Sequence, residues 1–344
     1  MADKTVDIST RGKWVRVPAL EVNGNTIVTR GRWIRVAVIH DEDWLMKDLE
    51  NPELCVKRLK DHESHRLRAD IFTFSQKPLK AHPQYPYHLE WDSVAAVRLT
   101  SFKDWWDELP QETRKNVRKS QKLGVEVRVE KLDDDLIRKI VDVNNDSPLR
   151  QRTRFVHYGK TFDQVKKDQS TFVGQSDFIC AYVRSELIGF LKLVYRGDAA
   201  SILQFLPKAS HYDKKPSNAL IAKTVELCEA KGISCLIYGM FNYGNKHDSP
   251  LRDFKTRNGF KEILVPRFYI PLTVKGAVCM KLKLHRGVHG ILPHSVIALG
   301  VSVRARWHNL KQWISRCSSM GERPNRNRQT ECSNPPAGST FDPQ

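Results

Sequence analysis

The sequence lacks several patterns that would assign it to a familiar class of protein. Its seven cysteines stand singly, with no two at C-x-x-C spacing, which argues against a disulfide framework or a cysteine zinc site and predicts a reducing compartment. Residues 1–10 are polar and acidic, so no secretory signal is expected. The nearest candidate for a membrane span, residues 290–303, is shorter than the roughly 18 apolar residues required and contains His294. We therefore expect a soluble cytoplasmic protein without an integral membrane segment.

Motifs of well-known catalytic sites are missing as well. The sequence contains no G-x-S-x-G nucleophile elbow, no Walker phosphate loop and no metal-ligand spacing. It therefore predicts neither a serine hydrolase nor a nucleotide hydrolase, and no metal is expected.

Acidic residues are scarce relative to basic ones. The chain has 57 Lys+Arg against 39 Asp+Glu, a formal net charge of +18 over 344 residues. Such a surplus attracts polyanions, which include nucleic acid, anionic membrane and phosphorylated ligands. A basic surface that serves only solubility is the simpler alternative.

The N-terminal part contains a short internal echo. The segment Thr10-Arg11-Gly12-Lys13-Trp14-Val15-Arg16-Val17 recurs as Thr29-Arg30-Gly31-Arg32-Trp33-Ile34-Arg35-Val36. Each copy alternates apolar residues with arginine, which is typical of a strand, and Asn23-Gly24-Asn25 between them predicts a turn. The two copies therefore predict a β-hairpin with a basic edge. A helix is expected from about residue 41 to residue 60, interrupted by Pro52.

The middle of the chain alternates helical and extended patterns. Helices are expected at 102–109, 111–122 and 133–144, with Ser101 and Asp104 as candidate caps. Strands are expected at 69–74, 91–99 and 125–129, and residues 147–160 form an irregular arginine-rich loop. From Phe178 the order is a β-hairpin, a third strand, the helix 218–231 with Ser217 as its N-cap, a strand, a short helix at 250–258 and a last strand at 262–272.

This order from Phe178 to Leu272 resembles the core of GNAT acyltransferases. The resemblance implies an α/β (α+β) fold with a mixed, mostly antiparallel sheet and flanking helices. It also implies that two central strands splay apart and that the arm of an acyl donor lies in the gap between them. The N-terminal hairpin then extends the core.

Three segments resemble the FemAB-like branch of that superfamily more specifically. They are the basic helix and strand 114–127, the loop Lys214-Lys215-Pro216-Ser217-Asn218-Ala219-Leu220, and the stretch 249–260, which follows the pattern S-x-L-x-x-F-K-x-x-x-G-F. The branch includes enzymes that add amino acids from charged tRNA to peptidoglycan precursors. The resemblance implies transfer of an acyl group onto an amine, and it places the family's Phe-Lys pair at Phe254 and Lys255.

The expected catalytic residues follow from that chemistry. Lys255 would neutralise a phosphate or the oxyanion that develops during acyl transfer. Tyr238 and Tyr243, near strand ends, are candidates to protonate the leaving group, and a histidine such as His157 or His211 is a candidate to deprotonate the amine. Asp253 is a candidate to orient the acceptor.

The expected cofactor site is the corner between the third strand and the long helix. Such a corner offers free backbone amides and the positive end of a helix dipole to a pyrophosphate. The glycines of the best-known GNAT loop are missing here, and lysines take their place. The candidate cofactor-binding residues are Gln204, Lys208, Lys214, Lys215, Ser217 and Asn218.

Basic and aromatic residues also mix outside that corner, as they do in proteins that bind RNA. The candidate substrate-binding or phosphate-binding residues are Arg114, Arg118, Arg150, Arg152, His157 and Tyr158. A tRNA donor, a phosphate-bearing acceptor or peripheral contact with an anionic inner membrane surface would each explain the basic surplus.

The sequence thus predicts an N-acyltransferase whose donor is an acyl-CoA such as acetyl-CoA. The predicted acceptor is a small-molecule or lipid-linked amine, either an amino sugar or a cell-envelope precursor. The alternatives are an aminoacyl-tRNA-dependent aminoacyltransferase and a non-catalytic GNAT relative that binds nucleic acid. The expected organisation is a β-rich extension at 1–88, the acyltransferase domain at 89–284, a helical region at 285–317 and a disordered tail at 318–344.

Overall fold

Nearly continuous apolar runs build the centre of the sheet. The two strands that begin at Ser176 and Glu186 pair antiparallel around a tight turn at Arg184, whose φ is +57°. Nearly every residue of both strands is buried, because helices cover the sheet on both faces here. The predicted hairpin at the start of the GNAT-like core is therefore confirmed.

The computed structural model describes residues 4–10, 12–42, 48–62, 67–78, 82–150, 153–242 and 249–286. Its strands are β1 (Lys4–Thr10), β2 (Lys13–Val22), β3 (Asn25–Arg30), β4 (Val36–Ile39), β5 (Ile71–Ser75), β6 (His88–Arg98), β7 (Val125–Glu130), β8 (Leu149–Arg150), β9 (Thr153–Arg154), β10 (Ser176–Val183), β11 (Glu186–Arg196), β12 (Ala199–Pro207), β13 (Cys235–Met240) and β14 (Lys261–Pro271). Its α-helices are α1 (Pro52–Asp61), α2 (Phe102–Glu108), α3 (Gln111–Lys122), α4 (Asp134–Asn145), α5 (Phe162–Gln169), α6 (Pro216–Ala230), α7 (Pro250–Arg257) and α8 (Val274–Lys281).

Twelve of these strands form one sheet in the order β1-β2-β3-β4-β5-β14-β6-β13-β12-β11-β10-β7. Neighbours pair antiparallel except β4 with β5 and β12 with β13, which are parallel. Strand β6 lies between β13 and β14, and β14 also pairs with β5, so the N-terminal strands and the GNAT-like core share a continuous sheet. The predicted mixed, mostly antiparallel sheet is confirmed.

Three apolar cores hold the helices on the sheet. Helices α2, α3 and α6 pack on one face through Trp105, Val117 and Leu220. Helices α4 and α5 pack on the opposite face through residues such as Ile140 and Val165. Helix α1 packs against the N-terminal strands in a third core.

The N-terminal prediction is confirmed in part. Strands β2 and β3 form a hairpin around Asn23 and Gly24, which both have positive φ, as the sequence predicted. The second copy of the echo is not a strand, because β3 ends at Arg30 and β4 starts at Val36. Gly31 explains the break: its φ is +95°, and a Cβ atom there would lie 2.1 Å from the carbonyl oxygen of Ile34.

Two helix starts differ from the prediction. Pro52 begins α1 instead of interrupting a longer helix, as its fixed φ and missing N–H favour at a first turn. Helix α6 begins at Pro216, so Ser217 is not its N-cap. Lys215, in the left-handed region with φ +56°, precedes the helix without a side-chain cap.

Parts of the prediction lie outside the described residues. They include Tyr243, Arg152, nearly all of the region expected to be helical at 285–317, and the tail expected at 318–344. The strands and helices above belong to the compact unit Met1–His285.

Candidate functional site

Strands β12 and β13 separate in the middle of the sheet. They pair only where Ala199–Ser201 face Cys235–Ile237. Strand β12 continues to Pro207 and β13 to Met240, and no further ladder pair joins these described segments. Aromatic side chains occupy the opening: the ring of Phe205 lies 5.8 Å from that of Tyr238 and 5.7 Å from that of Phe254, measured between centroids. This opening is the place where the GNAT resemblance predicts the donor arm.

Lys255 lies beside this opening and is wholly buried. Its Nζ donates a hydrogen bond to the main-chain oxygen of Met240 at 2.6 Å and lies 4.5 Å from the ring centroid of Tyr238. Burial lowers the pKa of Lys255 to about 8. An ammonium in such surroundings acts more strongly on a developing negative charge than it would in water, because the local dielectric is low.

The local sequence explains how Lys255 is held there. Ser249 caps α7 by accepting a hydrogen bond from the amide of Arg252, and the far end of the helix is fixed by Asn258. The main-chain oxygen of Asn258 accepts from the indole of Trp105, and its side chain accepts from Asn218. The next residue, Gly259, has φ +83°, and a Cβ atom there would lie 2.6 Å from the Trp105 nitrogen. Through Asn258, the segment 249–260 is hydrogen-bonded to Trp105 of α2 and to Asn218 of α6, and these contacts fix the position of α7.

Three further predicted site residues lie on α6 and α7. Asn218, a predicted cofactor residue, lies in the first turn of α6 and donates to Asn258, so it joins α6 to α7. Ser217 is half-buried in the same turn. Asp253, a predicted catalytic residue, is exposed on α7 while its neighbour Lys255 is buried.

The predicted cofactor corner is already occupied by the protein's own acidic side chains. A short 3-10 helix, Ala209–Lys214, follows β12. The carboxylate of Asp146 accepts from the amide of Ala209 at 2.5 Å, from the amide of Ser210 at 3.4 Å and from the Ser210 hydroxyl at 2.5 Å. Burial acts to raise the pKa of Asp146, but the hydrogen bonds from Ser210 and Ala209 outweigh it and lower that pKa.

Two of the three lysines of this corner also have acidic partners. Lys208 forms an ion pair with Glu186 at 2.7 Å, and the Nζ of Lys214 lies 3.6 Å from Asp213. A pyrophosphate bound here would compete with these carboxylates. The corner is therefore less available to a phosphate than the sequence predicted.

A polar cavity lies on the opposite face of β12 from Phe205. It has a volume of about 370 Å³, and its lining combines the N-terminal strands with α5, β11 and β12. Two predicted site residues, Gln204 and His157, meet in it. The side-chain amide of Gln169 donates to that of Gln204 at 2.5 Å. The structure thus brings together two residues that are 47 positions apart in the sequence.

Asp168 is the most strongly held acid of this cavity, and sequence reasoning did not single it out. It accepts from the indole of Trp14 at 2.7 Å and from Lys160 at 2.6 Å, and the Nδ1 atom of His157 lies 3.6 Å away. Burial acts to raise the pKa of Asp168, but these cationic and N–H partners outweigh it and lower the pKa to about 2. Asp168 is therefore a carboxylate across the physiological pH range.

A second buried lysine, Lys192, supports the cavity wall. Its Nζ donates to the main-chain oxygens of Gln169 at 2.7 Å and Thr171 at 2.6 Å, and burial lowers its pKa to about 8. A lone lysine within the apolar run Leu187–Tyr195 was the signal in the sequence that could have identified it. Its hydrogen bonds fix the chain directly after α5.

The remaining predicted residues lie elsewhere. Arg118 is exposed on α3, where its guanidinium lies 5.7 Å from the ring of Trp106, and Arg114 is half-buried on the same helix. Arg150 donates to the main-chain oxygen of Pro207 at 2.8 Å and so braces the end of β12. Tyr158 is exposed. These side chains do not converge with Lys255 on one site.

One group of side chains combines metal-ligand types among the described residues. His88, Glu90 and His285 bring their ligand atoms within 4.8 Å of one another. The Nε2 atom of His285 already lies 2.8 Å from the carboxylate of Glu90, so the group serves as a polar contact between β6 and the chain after α8.

Within the part of the chain that the structure describes, none of the helices is both long and apolar enough to cross a membrane.

No protein-family model matches the sequence, and no curated protein matches it either. Solved structures do match. The C-terminal domain of a putative lysylphosphatidylglycerol synthetase from Agrobacterium fabrum aligns with a TM-score of 0.51 at 14% identity, over 78% of this chain and 86% of that one. FemX aligns with a TM-score of 0.49 at 10% identity, over 81% of this chain and 90% of that one. The first of these likenesses, together with the splayed strands, shows that this chain has a GNAT-type fold.

Proposed function

We propose that this protein is a transferase that moves an acyl group from an activated carbonyl donor onto an amine, at the opening between β12 and β13. The observation that carries the proposal is Lys255, a wholly buried lysine at that opening. A buried charge is expensive to maintain, so its presence beside a gap in the sheet favours a chemical role.

The proposed role of Lys255 is electrostatic. When an amine attacks a carbonyl carbon, negative charge develops on the carbonyl oxygen, and a fixed cation nearby lowers the barrier. The pKa of about 8 keeps Lys255 mainly protonated at neutral pH. Tyr238, whose ring lies under the ammonium, is proposed to supply the proton that the leaving group takes up.

The identity of the donor is the finer part of the proposal. The sequence predicted acyl-CoA, with its phosphates in the corner at 208–218. Because Asp146 and Glu186 already hold two amides and one lysine of that corner, we propose an aminoacyl ester of tRNA ahead of acyl-CoA. The basic helix α3, with Arg118 stacked over Trp106, is the proposed contact for the polyanionic part of such a donor.

The test is transfer of label from two donors. The purified protein is incubated with labelled acetyl-CoA or with tRNA charged with a mixture of labelled amino acids, together with a panel of primary amines. We expect label to move from charged tRNA onto an amine. Lys255→Met should abolish this transfer. Lys261→Met is the matched control, because that lysine is exposed and pairs with Glu108 on the surface.

Each outcome has a distinct meaning. Transfer from acetyl-CoA alone would keep the transferase and overturn the proposed donor. Full activity of Lys255→Met would overturn the role of Lys255. Salt-sensitive RNA binding without any transfer, unchanged in Lys255→Met, would favour the non-catalytic relative.

A further inference from the structure

The cavity of about 370 Å³ is lined by strands that lie far apart in the order of the sheet, β1–β3 and β11–β12. Trp14 of β2 donates to Asp168 of α5, and Lys167 of α5 pairs with Asp7 of β1 at 2.8 Å. These contacts bring the first strands of the sheet onto the face formed by β10–β12. The cavity lies between them and is at the small end of the range for ligand sites, which suits a ligand about the size of one sugar ring.

The lining is polar and nearly balanced in charge. Besides the residues already described, it contains the titratable or charged groups Asp7, Arg30, His40 and Asp41. Three carboxylates oppose a phosphate-rich ligand. Asp168 already pairs with Lys160 and Asp7 with Lys167, so a ligand ammonium would share these carboxylates with the lysines. The aromatic rings of Trp14 and Phe172 add apolar surface. The cavity therefore fits a compact, polar, cationic molecule.

The two glutamine side chains add hydrogen-bonding groups for hydroxyls. Gln169 is almost completely buried and uses its amide nitrogen on Gln204, while its Oε1 atom has no hydrogen-bond partner among the described residues. An unsatisfied buried oxygen is costly, and a ligand hydroxyl would satisfy it. The amide nitrogen of Gln204 is a donor beside it.

His157 and Asp168 have the arrangement of a base and its orienting acid. Asp168 is fixed by Trp14 and Lys160, independently of the imidazole. The Nδ1 atom of His157 lies 3.6 Å from this carboxylate and has no hydrogen-bond partner among the described residues, so a shift of a few tenths of an ångström would complete the bond. The opposite nitrogen, Nε2, would then act on a ligand.

The cavity is also adjacent to the proposed reaction site. Leu203 and Gln204 line it, and they follow Ser201, the last residue of β12 that pairs with β13. The next residue, Phe205, contacts Tyr238 and Phe254 on the other face. A ligand in the cavity therefore lies one strand away from the opening that Lys255 adjoins, at the level where the two strands have separated.

We propose that this cavity is the acceptor pocket, that its ligand is a hydroxyl-bearing primary amine of the amino-sugar class, and that His157 removes the proton from that amine with Asp168 as its positioning residue. The inference rests on the proposed transfer function. His157 takes one proton from the ammonium, and the freed nitrogen lone pair forms the C–N bond to the acyl carbon. The bond from that carbon to the leaving oxygen or sulfur breaks, the leaving group takes a proton, and the second proton of the new amide nitrogen passes to solvent.

Binding without any donor tests the pocket first. Glucosamine is the probe, and glucose and N-acetylglucosamine are comparators that lack the free amine. Calorimetry should give saturable binding of glucosamine to the wild-type protein and binding about tenfold weaker to Gln204→Leu, the loss expected for one hydrogen bond and its unsatisfied partner. Equal binding of all three sugars, no saturable binding, or a Gln204→Leu variant that binds as well as the wild type would each overturn the ligand class.

The pH dependence of transfer tests the base. In the wild type, kcat/KM for the amine should fall toward acidic pH, and this acidic limb should be lost in His157→Asn. Asp168→Asn should reduce kcat more than it raises KM. His82→Asn is the control, since His82 lies exposed in the loop before β6. An unchanged acidic limb in His157→Asn would overturn the role of His157.

The two proposals fail in different ways. If glucosamine binds through Gln204 and no acyl group is ever transferred, the transferase is wrong and the pocket stands. If transfer depends on Lys255 while Gln204→Leu and His157→Asn leave binding and the pH profile unchanged, the transferase stands and the acceptor pocket lies elsewhere.

Discussion

Replacing Lys255 with methionine should make the protein more stable while it removes activity. Folding lowers the pKa of this lysine from 10.5 to about 8 because the charged form loses its hydration. One pKa unit corresponds to about 1.36 kcal/mol, so burial of the ammonium costs the fold about 3 kcal/mol at neutral pH. Methionine fills similar space without a charge, although each hydrogen bond of the ammonium, among them the one to the oxygen of Met240, is lost at a cost of about 1 kcal/mol. The variant should therefore be about 2 kcal/mol more stable than the wild type.

The difference should depend on pH in one direction. Between pH 8 and 10.5 the unfolded wild-type chain keeps the proton of Lys255, whereas the folded chain has lost it. The unfolded state then binds more protons, so the stability of the wild type rises with pH over this window. The advantage of Lys255→Met should be complete below pH 8 and shrink as the pH approaches 10.5. Lys192, whose pKa is also lowered to about 8, titrates in both proteins and cancels from the comparison.

Urea unfolding at neutral pH and at about pH 9.5 measures both effects. Lys261→Met serves as the reference, because exposed ion pairs are worth only about 0–1 kcal/mol, and its stability should stay near that of the wild type at both pH values. If Lys255→Met is instead destabilised by about 2 kcal/mol or more, equally at both pH values, the ammonium is stabilised by its surroundings and the argument from burial is wrong.

Two further substitutions test contacts that shape the site. Trp14→Phe removes the N–H that Asp168 accepts and should cost about 1–2 kcal/mol of unfolding free energy, whereas Trp33→Phe, at the equivalent position of the echo, should cost under about 0.5 because that ring is largely exposed. Equal effects in chemical denaturation would show that the bond to Asp168 adds nothing. Asp146→Asn should cost about 1–3 kcal/mol at neutral pH, because Ser210 and its amide lose a charged acceptor. Folding lowers the pKa of Asp146 from 3.8, so its contribution is present above that pH and lost in acid, where the two unfolding curves should converge.

The order of the elements could be predicted from the sequence because the signals that determine it are local. The strands from Ser176 to Pro207 alternate around short turns, and Ser101, Asp133 and Ser249 each cap the helix that the pattern predicted. Lys255 lies on α7, the short helix that the pattern predicted at 250–258.

The second copy of the echo shows where local reasoning fails. Both copies end one strand and begin another, but Trp14–Val17 of the first copy belongs to β2, whereas Trp33–Arg35 of the second lies between β3 and β4. Contacts distant in sequence decide this: the amide of Arg35 donates to Asp70 at 2.9 Å, and Lys275 donates to the oxygen of Trp33. Such contacts outweigh the strand preference that the apolar–polar alternation of a short segment indicates. The sequence alone does not reveal them.

The occupied corner shows a second limit. Lysines before a helix predicted a phosphate site. In the structure the amide of Ala209 instead donates to Asp146, which is 63 positions away in the sequence. Charge counted along the sequence does not show which side chains will pair. The cavity has the same origin, since Trp14 and Asp168 are 154 residues apart.

The N-terminal strands contribute to the proposed site. Trp14 fixes Asp168, and Asp168 lies beside His157, so the position of the proposed base depends on a residue that the sequence assigned to an extension. The first copy of the echo then differs from the second for a physical reason: its tryptophan is turned into the cavity wall, and that of the second copy is exposed. A substitution confined to β2 should therefore alter the pH dependence of transfer while the contacts of Lys255, on the other face of β12, stay intact.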